Sequence, residues 1–152
     1  MEKILITGAS GFVGSFLVEE ALKNGLDTYA GIRSSSSKQW LQDERINFIE
    51  MNLSNENQLS ELMHEHQFDY IIHNAGVTKS NSKSDFFRVN VEFTHNLVTS
   101  SSKIKSLKKF SFMSSLAAYG PADFQENKIL SNDSEPNPVT TYGKSKLRAE
   151  RK

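Results

Sequence analysis

The chain has 152 residues, no cysteine, and 18 acidic against 18 basic side chains, so its formal net charge at pH 7 is zero. That length suits a single domain, and the charge balance excludes nonspecific nucleic-acid or acidic-surface binding, which needs a positive field. The missing cysteines exclude a disulfide framework and thiolate-held zinc or iron–sulfur centres and suit a reducing cytoplasm, the expected location; no apolar run approaches the ~20 residues of a membrane span, and Met1-Glu2-Lys3-Ile4 enters a strand-like stretch without a signal-peptide pattern.

Apolar runs alternate with helical patterns along the chain. Lys3-Ile4-Leu5-Ile6-Thr7, closed by Gly8, predicts a buried strand. Gly11 to Asn24 places Phe12, Val13, Phe16, Leu17, Ala21 and Leu22 near a helical period, with Gly25 as the stop. Asp27 to Ile32 predicts a second strand, Ser34 to Ser37 a polar turn, and Lys38 to Asp43 a short helix. Ile46 to Glu50 predicts a third strand. Asn55 to His64 predicts a helix capped by Ser54 or Asn55. A fourth strand is expected over Phe68–His73, a long helix over Ser84–Ser102, and a fifth strand over Lys109–Met113. Gly120 to Pro138 is expected to be a polar loop, and Thr141 to Lys152 a final helix. Strands separated by helices require crossover connections. The expected fold class is therefore α/β, a doubly wound parallel sheet with helices on both faces.

Thr7-Gly8-Ala9-Ser10-Gly11-Phe12-Val13-Gly14 lies between the first strand and the first helix. Gly8 permits a tight turn, Gly11 lets a pyrophosphate approach the backbone, and Gly14 lets the helix lie close to the sheet. The N–H groups and dipole of the helix then face the phosphates. Three glycines alone say little; their place between strand and helix gives them force.

Further motifs follow in order. His73-Asn74-Ala75-Gly76 closes the fourth strand, and Val89-Asn90-Val91 lies in the long helix. Ser114-Ser115-Leu116-Ala117-Ala118-Tyr119-Gly120 follows the fifth strand. Glu135-Pro136-Asn137-Pro138 precedes Tyr142-Gly143-Lys144-Ser145-Lys146. Together with the glycine turn, these motifs resemble the extended short-chain dehydrogenase/reductase family, also called the NAD-dependent epimerase/dehydratase family, over nearly the whole chain. The resemblance implies a Rossmann fold and an oxidoreductase, epimerase or dehydratase that uses NAD or NADP. Nucleotide sugars are the commonest substrates of the family. It implies that Thr7, Gly8, Ser10, Gly11, Phe12, Val13 and Gly14 hold the cofactor, with Asn74, Ala75 and Gly76 after the fourth strand and with Asn90, Tyr142 and Lys146. Asn52-Leu53 stands where the family often has Asp-Leu near the adenine. Phe93 departs from the glycine that is usual there.

At the end of the second strand, where NAD-preferring members carry an acidic residue, stand Ile32 and Arg33. A guanidinium fork matches a 2′-phosphate, and Ser34 adds a donor, so NADP is expected ahead of NAD. Tyr142 and Lys146 share one helix face. An ammonium beside a phenol favours the phenolate, so Tyr142 is expected to exchange a proton with a substrate hydroxyl or carbonyl while hydride moves to or from the nicotinamide. By resemblance Ser115 is the catalytic serine, bonding the same oxygen, and Asn90 supports Lys146. Thr78 and Lys79 stand near enough in sequence to reach substrate or cofactor, or are solvated. His64 and His66 flank Glu65, but at that spacing they point to different faces, so solvated residues and no metal site are expected. Trp40, Phe86 and Phe87 are expected to pack or to sit at an edge.

Family members continue well past the Tyr-x-x-x-Lys motif, whereas this chain stops at Lys152. The expectation is one NAD(P)-binding domain over residues 1–152, ending within that helix and truncated before the C-terminal substrate-binding part. A homo-oligomer is a further expectation, because the fifth strand leaves an edge. The rival expectation is a dinucleotide-binding module that senses or scaffolds without turnover.

Overall fold

Four of the five residues of β1 (Lys3–Thr7) are buried, as a strand covered on both faces must be. The computed structural model describes residues 1–122 and 129–152; residues 123–128 of the expected polar loop lie outside the described residues. Four more strands, β2 (Asp27–Ile32), β3 (Asn47–Glu50), β4 (Tyr70–His73) and β5 (Lys109–Phe112), join β1 in a parallel sheet of order β3-β2-β1-β4-β5. Register runs Ile4 to Thr28 on one side of β1 and Ile4 to Tyr70 on the other. The strand order reverses at β1, between β2 and β4, which is where ligands of open α/β sheets bind, outside the carboxyl ends of the strands.

The described chain forms two compact units, residues 1–76 with 96–113, and residues 77–95 with 114–152. The first holds the whole sheet. Adjacent strand residues face opposite ways, and the core divides accordingly. Ile4, Ile6 and Ala30 pack with Val18, Ala21 and Leu22 of α1 (Phe12–Lys23). Leu5 and Ile71 pack with Leu59 and Met63 of α2 (Glu56–His66), and with Leu97. Each fully buried side chain of this size contributes about 1.5–3 kcal/mol. Helices on both faces make the sheet doubly wound.

Local chemistry sets the ends of these helices. The Asn55 side chain accepts from the Gln58 N–H at 3.1 Å and caps α2. α1 stops at Gly25, whose φ of +71° suits the left-handed closing turn, with Leu26 N–H reaching Ala21 O at 3.1 Å. The short helix expected over Lys38–Asp43 does not form; the segment is irregular, with one turn at Gln39–Trp40. A helix that short cannot recover its nucleation cost, and Asp43 instead pairs with Arg45 at 2.7 Å.

The expected long helix is interrupted. It begins as α3 (Lys83–Phe87), passes through a π-helical turn (Arg88–Glu92), and resumes as α4 (Phe93–Ser101). The Arg88 guanidinium lies 5.7 Å from the Phe93 ring. A 3-10 turn (Leu116–Ala118) follows Ser115, and α5 spans Thr141–Glu150 with Arg151 as its C-cap.

Candidate active site

The glycine turn occupies the carboxyl end of β1. Gly8 has φ +66°, a left-handed conformation that a side chain resists. A Cβ on Gly8 would lie 2.8 Å from the Cα of Ala75, so the turn touches the segment after β4 backbone to backbone. Thr7 Oγ1 accepts from the Ala75 N–H at 3.2 Å and bonds His73 Nδ1 at 2.7 Å, and the Asn74 amide reaches Gly8 O at 3.4 Å. Thr7, Gly8, Asn74 and Ala75 are thus brought together, with His73, the first residue of the same motif, as a partner of Thr7. Gly14 is needed for a close approach, since a Cβ there would fall 2.1 Å from Gly8 O. That contact is with the turn's own backbone, one step short of the sheet. Gly11 starts α1, and no side chain caps it. The first N–H groups of α1 therefore lack a side-chain acceptor and suit an anion. Phe12 and Val13 are exposed, Ser10 is half-buried, and Gly76 is exposed.

The remaining sequence-predicted cofactor residues of this unit lie at strand ends. Arg33 and Ser34 are exposed, in a turn closed by Ser36 N–H to Arg33 O at 2.9 Å. The Arg33 guanidinium forms no ion pair with any described residue. Asn52 accepts from the N–H of Ser54 at 3.1 Å, and Leu53 is half-buried. His66 is not merely solvated: it stacks on Phe68 at 5.4 Å and meets Tyr29 at 5.3 Å, because the end of α2 tucks over that ring.

In the second unit, Thr140 caps α5 by accepting from the Gly143 N–H at 2.9 Å. Tyr142 is half-buried in the first turn of that helix, its ring 6.3 Å from Phe86. One turn on, Lys146 is only 4% exposed. Burial pulls its ammonium down from 10.5 to about 8, partly opposed by the Glu150 carboxylate one turn further along. Ser115 Oγ accepts from the Ala117 N–H at 3.2 Å, a bond that does not use its own proton. Ser114 donates to Glu150.

The contact between Ser115's turn and Tyr142's helix is made by a residue that sequence reasoning missed. A Cβ on Gly143 would lie 2.0 Å from Ala117 O, so α5 rests directly on the 3-10 turn. The loop between them is closed at its base, where the Asn137 N–H donates to Tyr119 O at 3.0 Å. Ser115, Tyr142 and Lys146 therefore stand on two elements in contact. Asn90 is buried, and its amide bonds Val77 and Ser145, Ser145 being the neighbour of Lys146 in the chain. Thr78 and Lys79 are exposed.

The profile of the NAD dependent epimerase/dehydratase family matches residues 4–152. UDP-glucose 4-epimerase of Mus musculus is 31% identical over 166 residues, covering 97% of this chain and 46% of the mouse protein. Among solved structures, the UDP-Glc/GlcNAc 4-epimerase of Campylobacter jejuni superimposes with a TM-score of 0.89 at 28% identity, over 99% of this chain and 47% of that one. The Bordetella bronchiseptica enzyme WbmG, solved in complex with NAD and UDP, gives a TM-score of 0.83 at 25% identity, over 98% of this chain and 48% of that one. The chain thus spans about half the length of these relatives.

Proposed function

Because the chain belongs to the NAD-dependent epimerase/dehydratase family, we propose that it binds a nicotinamide dinucleotide and serves an oxidoreductase, epimerase or dehydratase acting on a hydroxyl or carbonyl carbon, with nucleotide sugars as the substrate class. The observation that carries this reading is the second unit's arrangement: Lys146, buried and one helical turn from Tyr142, on a helix resting against the turn after Ser115.

The glycine turn fits a dinucleotide. Its backbone is packed so closely at Gly8 and Gly14 that side chains are excluded, and the uncapped start of α1 offers N–H donors to a pyrophosphate. Thr7, Ser10, Gly11, Phe12 and Val13 would hold the phosphates, and Asn74, Ala75 and Gly76 the adjoining part. When bound, the dinucleotide supplies a hydride acceptor and donor. The chain's own residues do the proton work. Tyr142 takes the proton of the reacting hydroxyl, or returns one to a carbonyl, at its phenol oxygen. Lys146 keeps positive charge beside it. Ser115 donates its hydroxyl proton to the same substrate oxygen and holds it in line.

Two measurements test the reading. Tyr142→Phe, assayed with dinucleotide and UDP-sugars by the near-ultraviolet absorbance of the reduced nicotinamide, is expected to lose about 100-fold or more in turnover while binding NADH as before. Retained turnover would overturn the role of Tyr142. Dinucleotide binding without any turnover in the parent chain would favour a non-catalytic module, the rival that the half-length match keeps in play. The second concerns the cofactor. The exposed Arg33 and Ser34 favour NADP, whereas the Bordetella neighbour holds NAD. If Arg33 reads a 2′-phosphate, Arg33→Ala weakens NADPH roughly tenfold more than NADH in a fluorescence titration. Equal losses would leave Arg33 a loop residue and NAD the cofactor.

A further inference from the structure

We propose that Ser145 is a positioning residue for Tyr142, tying the first turn of α5 to the buried amide of Asn90. Inside a helix a serine either faces water or bonds back to the preceding turn. Ser145 has no exposure at all, and its Oγ donates to the carbonyl of Tyr142 at 2.7 Å. The same oxygen accepts from Asn90 Nδ2 at 2.9 Å. Asn90 is itself 1% exposed, and it spends its remaining capacity on one residue: its Oδ1 accepts from Val77 N–H at 2.8 Å, and its second Nδ2 proton goes to Val77 O at 3.0 Å. The bonds run unbroken from Val77 through Asn90 and Ser145 to Tyr142, buried at the Asn90–Ser145 link and part-buried at either end.

Helix formation does not explain the serine, since alanine is the better helix former. What the hydroxyl adds is a fixed peptide plane immediately after Tyr142. That plane sets the Cα–Cβ direction of the reactive side chain, and with it the rotation of α5. Asn90 is a firm anchor because it sits in the π-helical turn, where its own carbonyl is taken by Thr94 Oγ1 at 2.8 Å. Turns of this kind recur at functional sites.

The consequence for catalysis rests on the proton-transfer reading above, but the test does not. Rotation of α5 governs how much water reaches Lys146, the next residue, so the titration of Lys146 reports the latch without cofactor or substrate. The measurement is NMR of the carbon-13-methylated lysines of the whole chain as a function of pH. In Ser145→Ala the Lys146 midpoint, about 8 in the parent, is expected to rise toward 10.5 by about half a pH unit or more. Ser145→Thr, which keeps the hydroxyl, is expected to hold it. Asn55→Ala, which removes a cap from α2 at a similar cost in stability, is expected to leave it alone. Ser145→Cys, similar in size and a poorer donor, replaces the alanine variant if that chain does not fold. An unmoved midpoint, or an equal movement in Asn55→Ala, would overturn the assignment. Either result stands whether or not the chain turns over, so failure here is separable from failure of the proposed reaction.

Discussion

Gly143 stands inside a helix, where alanine is the better former by about 1 kcal/mol, yet the site has no room for a methyl. A Cβ there would meet Ala117 O at 2.0 Å and the Ala117 carbonyl carbon at 2.8 Å, both backbone atoms of the 3-10 turn. Overpacking of this kind costs about 1–3 kcal/mol and outweighs the propensity gain. Gly143→Ala is therefore expected to destabilise the chain in urea unfolding, by up to about 2 kcal/mol net. Gly25→Ala is the contrast: nothing lies within 4 Å of its Cβ position, and only the φ of +71° resists. A stabilised Gly143→Ala would mean that α5 and the Ser115 turn are not held by this contact. The distinction also separates what was legible from what was not. Tyr142, Lys146 and Ser115 were visible because motif spacing carries them. Gly143, Ser145 and Phe86 were not, because their importance lies in contacts made across the fold: a carbonyl under Gly143, an amide beside Ser145, a phenol ring beside Phe86.

Elements were read more easily than residues, for the same reason inverted. All five strands were legible because buried parallel strands are short apolar runs with turn residues at their ends. The α2 cap was legible because Asn55 is a good acceptor at the start of an amphipathic run. Two features were missed. The Lys38–Asp43 helix failed because local pairs, Asp43 with Arg45 and Lys38 Nζ 4.1 Å over the Phe48 ring, compete with so short a helix. The π-helical turn at Arg88–Glu92 could not be seen, since an inserted residue leaves the apolar period nearly unchanged over one turn. It is the segment from which Asn90 reaches Val77 and Ser145. The loop after β4 is anchored to it through both polar groups of the Val77 peptide. On the other side of the chain's chemistry, Thr7 anchors the segment before that loop through the Ala75 N–H.

For the whole molecule the zero net charge makes self-repulsion a weak contributor to stability, so individual titrating groups dominate the pH profile. Among the described residues Lys146 is the lysine whose burial shifts it toward neutrality. Its midpoint is about 8 in the folded chain against 10.5 for an ordinary lysine. Between those values the unfolded chain holds a proton that the folded chain has released, so unfolding takes up protons and folding stability rises with pH. Below about pH 8 the lysine is charged in both states and its burial cost is carried in full. Tyr29 and Lys108 act in the opposite sense at the alkaline end. Burial raises the Tyr29 phenol, and bonds to Glu2 and Asp69 raise the Lys108 ammonium, so both folded groups retain protons longer than their unfolded counterparts. The Lys146 contribution is therefore read as a difference. Lys146→Met, similar in length and without the charge, is expected to be more stable than the parent at pH 7, and to lose that advantage progressively between pH 8 and 10.5. The slope of the difference is at most about 1.4 kcal/mol per pH unit. Urea unfolding of both chains across that range checks it. A difference that does not change with pH would mean that the buried ammonium is fully compensated in place. The expected result makes the buried charge of Lys146 a cost to folding at neutral pH, as the proposed role beside Tyr142 requires.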